Sequence, residues 1–336
     1  MDAEVTIMNV LEILNKKARE LDAPIMSYLE EGRPQNLLDA ARHYPQAGGK
    51  RMRPVLAVTL AEAVGGKGYL AIPYGAALEI IHNFTLVHDD VMDNDDTRRG
   101  LPSVHKVWNM PTAIIAGDAL FAKAFEILAD LEVPDADVRR LLRLTANAVW
   151  KVAEGQQMDM NNEERDTISM DDYIETVEKK TGVLFGAAAA GGAIIGGADE
   201  ASVSRMYDYG VNLGIAFQIW DDVLGLKADQ SKLGKPVGSD IRNGKKTLIV
   251  INALSLIEEG KTGYDGLLLA LGNAQANDAQ VGEAIRLLED IGAIEFAMKV
   301  ARDYVADAIQ KLDSLPESED KEFLTAMAEY AISREL

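Results

Sequence analysis

Two short acidic runs are the residues of this chain best suited to do chemistry. The first is His88-Asp89-Asp90-Val91-Met92-Asp93, followed at once by Asn94-Asp95-Asp96-Thr97-Arg98-Arg99-Gly100. If the residues upstream are helical, the 3.6-residue period sets Asp89 and Asp93 one turn apart on one face, where both carboxylates reach the same side of a divalent ion. Hard oxygen donors select Mg²⁺ or Mn²⁺ over zinc, and Mg²⁺ completes its octahedron with water and phosphate oxygens. Arg98 and Arg99 add forked donors suited to phosphate. Taken alone, such a run is more often a solvated acidic helix end.

A second run changes that balance. Phe217-Gln218-Ile219-Trp220-Asp221-Asp222-Val223-Leu224-Gly225 closes an apolar segment, Tyr209 to Trp220, whose Gly210 and Gly214 allow close helix packing. Gln218 stands three residues before Asp221 and shares its face. Basic loops follow, Leu233-Gly234-Lys235-Pro236 and then Asn243-Gly244-Lys245-Lys246-Thr247. A third element, Gly48-Gly49-Lys50-Arg51-Met52-Arg53-Pro54, pairs glycines that free the backbone to approach an anion with cations that can surround it.

Helices must carry these groups. Val5, Met8, Leu11 and Leu14 recur at helical spacing within 5–21, and 52–64, 71–92 and 112–131 continue the pattern, while strand alternation is absent. Pro73, Pro102, Pro111, Pro134 and Pro236 fall near helix starts or in connections. An all-α fold is expected. The length of 336 residues would allow two domains, but no Pro/Ser-rich linker divides the chain, so one helical domain over residues 1–336 is the simpler expectation.

Composition narrows the function classes. There is no cysteine, which excludes disulfides and thiolate sites, and the acidic start Met1-Asp2-Ala3-Glu4 does not read as a signal peptide; a cytoplasmic protein is expected. A net charge of −20 argues against nucleic acid and anionic membrane surfaces as partners. Residues 181–198 form the longest uncharged stretch, eighteen residues long, yet six of them are glycine, which favours a buried helix over a membrane span.

Taken together the motifs resemble the trans-isoprenyl diphosphate synthases of the polyprenyl synthetase type, archaeal short-chain enzymes in particular. The likeness rests on Asp89 to Asp93, Asp221-Asp222, Gly48 to Pro54, Arg98-Arg99-Gly100, Lys180-Thr181, Ile115 to Leu120 and the Gly234 to Thr247 loop, in that family's order. It implies a large all-α bundle around a central active-site cavity, a homodimer, and Mg²⁺ as cofactor with Mn²⁺ able to substitute. It further implies the condensation of isopentenyl diphosphate with an allylic diphosphate (dimethylallyl, geranyl or farnesyl) by ionisation, condensation and elimination.

Roles follow residue by residue from that resemblance. Asp89, Asp93 and Asp221 would bind metal directly, with Asp90 and Asp222 as further ligands or as partners that orient water. Arg98, Lys180 and Lys235 would contact the allylic diphosphate, with Lys245 a weaker candidate. Lys50, Arg53, His82 and Arg99 would hold isopentenyl diphosphate. His82 stands two turns before Asp89 on the same face, although a satisfied core histidine would look the same. Thr181 and Gln218 would set oxygen dipoles beside the allylic cation.

The chain departs from the family pattern at Gly225, where many relatives carry a third aspartate, and at Lys227-Ala228-Asp229, where Thr-Gly-Asp is common. Product length would be set by bulk upstream of Asp89. Helix geometry nominates Thr85, about 40° from the Asp89 direction, ahead of Phe84 at about 140°. The resemblance favours Phe84, an aromatic associated in archaeal relatives with a geranylgeranyl stop, with Ile81 and Thr85 next. The expected product is geranylgeranyl diphosphate, with farnesyl diphosphate beside it. Two rival readings are a class I terpene cyclase, which would leave Lys50, Arg53 and Arg99 without a purpose, and a non-catalytic subunit of a heteromeric synthase, which usually lacks one of these motifs.

Overall fold

The computed structural model describes residues 3–227, 237–258 and 265–333. Helices dominate, as the apolar spacing predicts: Ala3–Ser27, Met52–Ala63, Ile72–Met92 and Met110–Ala129 occupy the four stretches read as helical from sequence. Pro73 and Pro111 stand in the first turn of their helices, where the missing N–H costs nothing. One feature was not expected. Thr97–Arg98 pairs antiparallel with Leu101–Pro102, a hairpin closed by Arg99 at φ 54° and Gly100 at φ 76°, the left-handed pair that a two-residue turn requires. It is too short to leave an alternating pattern.

The chain forms two compact units, one of residues 1–150, 184–210 and 309–330, the other of 151–183, 211–308 and 331–336. In the first unit Ile72–Met92 is the core helix. Leu78, Ile80 and Ile81 are fully buried on different sides of it, because Met110–Ala129, Met52–Ala63 and Ala3–Ser27 all pack against it. The stretch 68–92 is the one among the described residues long and apolar enough to cross a membrane, and 61% of its apolar window is buried within the protein, as befits a core helix.

Most of the glycine-rich stretch, residues 183–194, lies buried in the helix Val183–Ile195, matching the core reading. A Cβ at Gly192 would fall 2.2 Å from the Ala57 carbonyl oxygen, so only glycine admits the approach of Met52–Ala63. Tyr74 reaches the same helix and donates its hydroxyl to the Ala187 carbonyl at 2.9 Å.

The second unit holds Met170–Val177, Leu248–Glu258 and Asp278–Asp290, together with the C-terminal part of Asp135–Glu164 and of Glu200–Lys227. Met170–Val177 begins with a capping box in which Ser169 and Asp172 satisfy each other's backbone N–H. Directly after it, Glu178–Gly182 winds as a π-helix.

Candidate active site

In the first unit the core helix ends on the first acidic run. Asp93 N–H still donates to the Asp89 carbonyl at 2.8 Å, so the helical turn continues through Asp93 and both carboxylates share one face. Asp90 points the other way and is fully buried. Its Oδ1 accepts from Arg98 Nε at 2.6 Å, and its Oδ2 accepts from the hydroxyl of Tyr44. Arg98 also reaches Asp89 Oδ2 through Nη2 at 3.3 Å. The hairpin thus lays Arg98 against the aspartates, and the Asp90 carboxylate raises the pKa of Arg98 despite its burial.

Cations gather next to that helix. Arg51 adopts the left-handed conformation at φ 46° and is buried, donating to Asp22 Oδ1 at 2.9 Å, Glu79 Oε1 at 2.8 Å and the Pro45 carbonyl at 2.6 Å. That knot turns the neighbouring Arg53 into the protein, where its guanidinium lies 4.3 Å from the centroid of the Phe185 ring and its Nε is buried without a hydrogen-bond partner. Burial, opposed by Glu79 and reinforced by Arg99, pulls the Arg53 pKa down to about 10. His82 is held well below its ordinary value by burial first, then by Arg53, Arg99, Arg98 and Arg51. Arg99 donates to the Gly48 carbonyl and so meets the Gly48–Arg53 loop across a long sequence separation. Lys50 is exposed on that loop. So much positive charge with an unanswered buried donor is suited to hold an anion.

The second unit gathers the other set around a recess of about 530 Å³, part of it open to solvent. Asp222 is buried, accepting from Tyr173 Oη at 2.7 Å and from Gln218 Nε2 at 3.1 Å. Burial raises its pKa to about 6, against the pull of Lys245. Gln218 Oε1 in turn accepts from Thr181 Oγ1 at 3.2 Å. Lys180 Nζ is paired with Asp159 Oδ2 at 2.6 Å. Lys245 and Lys180 hold the Asp159 pKa below the ordinary carboxylate range although burial works against them. Lys180 and Thr181 ride on the π-helix, whose wider turn re-aims them relative to an α-helical register. Lys235 lies outside the described residues.

Residues 34–288 match the polyprenyl synthetase family. Over 326 residues the chain is 42% identical to a geranylgeranyl pyrophosphate synthase of Geoglobus acetivorans, covering 97% of this chain and 99% of that protein. The chain belongs to the polyprenyl synthetase family. A short chain isoprenyl diphosphate synthase of Methanothermobacter thermautotrophicus is likewise 42% identical, over 98% of this chain and all of its own length. The crystal structure of a geranylgeranyl pyrophosphate synthetase from Pyrococcus horikoshii superposes with a TM-score of 0.90 at 42% identity, covering 98% of this chain and 99% of that one. This polyprenyl synthetase is therefore an enzyme, a trans-prenyltransferase that elongates prenyl chains.

Four partners of the motif residues were not signalled by the motifs themselves. Tyr44, Glu79, Tyr173 and Asp159 carry no motif of their own, yet each bonds a motif residue. Tyr173 had a faint signal, standing two turns before Lys180. Among the described residues no three histidine or acidic side chains converge on one point as a ready metal cage. Instead Asp90 and Asp222 turn inward to tyrosines, and Asp93 stays exposed. The donor set still suits a hard cation, since every candidate ligand is a carboxylate oxygen.

Proposed function

We propose that this trans-prenyltransferase condenses isopentenyl diphosphate with dimethylallyl, geranyl or farnesyl diphosphate to make geranylgeranyl diphosphate, and that it releases some farnesyl diphosphate. The observation that carries the two-substrate reading is the pair of guanidiniums Arg53 and Arg99 gathered near His82 on the first aspartate helix, with Arg53 Nε buried and unanswered. A diphosphate would complete that site, and a terpene cyclase has no second diphosphate to offer.

In this reading Asp89, Asp93 and Asp221 would hold Mg²⁺, or Mn²⁺ in its place, with Asp90 and Asp222 behind them. When bound, such a cation would supply charge to neutralise the leaving diphosphate. Arg98, Lys180, Lys235 and Lys245 bind the allylic diphosphate and stabilise the negative charge that grows as its carbon–oxygen bond breaks. The bonding pair departs with pyrophosphate. The double bond of isopentenyl diphosphate, held by Lys50, Arg53, His82 and Arg99, then attacks the allylic carbon. Thr181 and Gln218 turn oxygen dipoles toward the positive carbon, and loss of a proton to the departed pyrophosphate restores a double bond in a product one isoprene unit longer. The closeness to proteins named geranylgeranyl synthases supports the product, as does the aromatic Phe84 just above Asp89.

The whole chain acts as one synthase domain in a cytoplasmic homodimer, which sedimentation at micromolar concentration tests. The reaction is tested with radiolabelled isopentenyl diphosphate and each allylic partner, followed by chromatography of the dephosphorylated products. Label in geranylgeraniol supports the proposal. A cyclised hydrocarbon formed from the allylic substrate alone would overturn it.

A further inference from the structure

Tyr44 lies in the helix Gln35–Gln46, far from either acidic run in sequence, and has no exposed surface at all. A buried phenol must find a partner for its hydroxyl. The partner here is a carboxylate that is itself fully buried, since Tyr44 Oη donates to Asp90 Oδ2. The Val104 N–H donates to the same phenol oxygen at 3.3 Å and orients the hydroxyl toward Asp90. With Oδ2 so occupied, Oδ1 alone faces Arg98 Nε, at 2.6 Å. Both Nε and Nη2 of Arg98 lie 2.6 Å from that one oxygen, and Nη2 also reaches Asp89 Oδ2 at 3.3 Å. The Tyr44 carbonyl oxygen separately accepts from Arg99 Nη1 at 3.4 Å.

We propose that Tyr44 is a positioning residue for prenyl transfer: its hydroxyl sets Arg98 through Asp90, and its backbone carbonyl steadies Arg99. The proposal rests on the reading of Arg98 and Arg99 as the arginines of the two diphosphate sites. Tyr44 touches neither substrate. Without the hydroxyl, Asp90 Oδ2 would be a buried charged acceptor with one donor fewer, and the carboxylate would turn to bring that second oxygen onto Arg98 Nη2. Arg98 would then leave Asp89 and the direction in which the allylic diphosphate charge develops. The carbonyl arm to Arg99 would be unchanged.

The test is Tyr44→Phe, which keeps the ring and the backbone and removes one oxygen. Turnover should fall about tenfold to a hundredfold, the size expected for losing a hydrogen bond to a charged group, while the Michaelis constant for isopentenyl diphosphate stays within about threefold. The double variant Tyr44→Phe/Asp90→Asn should turn over no more slowly than Asp90→Asn alone, because both changes break one linkage. Thermal melting and calorimetric binding of isopentenyl diphosphate show that each variant is folded and retains the Arg99 side of the device. Unchanged turnover in Tyr44→Phe, or losses that add in the double variant, would overturn the proposal. So would a rise confined to the isopentenyl diphosphate Michaelis constant. Arg98→Ala separates the two levels: if it turns over normally, the assignment of Arg98 to the diphosphate is wrong, whereas a slow Arg98→Ala beside a normal Tyr44→Phe removes only the role of Tyr44.

Discussion

Arg51 donates to Glu79 Oε1 at 2.8 Å with both side chains almost wholly out of water. Glu79 is the nearest answer to a crowd of cations, for it also offsets charge at Arg53 and Arg99. Removing one member of such a pair leaves the other charged and buried. Glu79→Leu should lower the unfolding free energy by about 3 to 5 kcal/mol. Urea unfolding measures this, and a loss under about 1 kcal/mol would mean that water or another carboxylate replaces Glu79.

His82 should stay neutral through the physiological range, since burial and four guanidiniums push its pKa well below 6.5. The sign is then fixed. As pH falls through the unfolded value of about 6.5, the unfolded chain gains a proton at this position and the folded one does not, so this histidine lowers stability progressively below that pH. The imidazole resonance of His82 in the substrate-free protein should be flat from about pH 8 to pH 6. A titration midpoint near 6.5 would show that the cation cluster is better solvated than its geometry suggests.

The helices and the acidic faces were legible because both depend on local spacing. Asp89 and Asp93 share a face by helical period alone, and the Ile72–Met92 helix that delivers them is apolar enough to be read directly. What pairs with them is not local. Tyr44 meets Asp90 and Asp159 meets Lys180 across separations of 46 and 21 residues, with no spacing rule to announce either contact. The hairpin at Arg98 escaped for the opposite reason, being too short for a period. Asp90 and Asp222 could be read as ligands or as partners behind them, and their burial against tyrosines favours the second role.

Metal dependence should be complete. Chelation should abolish turnover, and Mg²⁺ or Mn²⁺ should restore it. Asp89→Asn or Asp221→Asn should cost about 10³-fold in rate, if each ligand supplies about 4 kcal/mol to the transition state. A variant within about tenfold of wild type would remove that residue from the metal set.

The two diphosphate sites should separate kinetically. Arg99→Ala or Lys50→Ala should raise the Michaelis constant for isopentenyl diphosphate about tenfold to a hundredfold and affect the allylic constant less. Lys180→Ala or Lys235→Ala should mainly reduce turnover. Lys180→Ala carries a further cost, because Asp159 loses its partner at 2.6 Å. The opposite pattern would mean that the sites are exchanged.

Product length should turn on Phe84. Its ring stands 5.4 Å from Phe121 on the neighbouring helix Met110–Ala129 and edge-on to His88 at 5.0 Å, with Phe121 backed by Phe125 at 4.9 Å. The alternatives are less suited to a floor. Ile81 is fully buried in the core, and the Thr85 hydroxyl is bonded back to the His82 carbonyl at 2.8 Å. An aromatic stack held from two helices resists displacement by a growing prenyl tail, because each ring is locked by its neighbours. Phe84→Ala removes the first ring and leaves Phe121 without its support. The product distribution should move beyond geranylgeranyl diphosphate, with chromatography of the dephosphorylated alcohols as the measurement. An unchanged distribution would put the floor elsewhere and make Thr85 and Ile81 the next positions to vary.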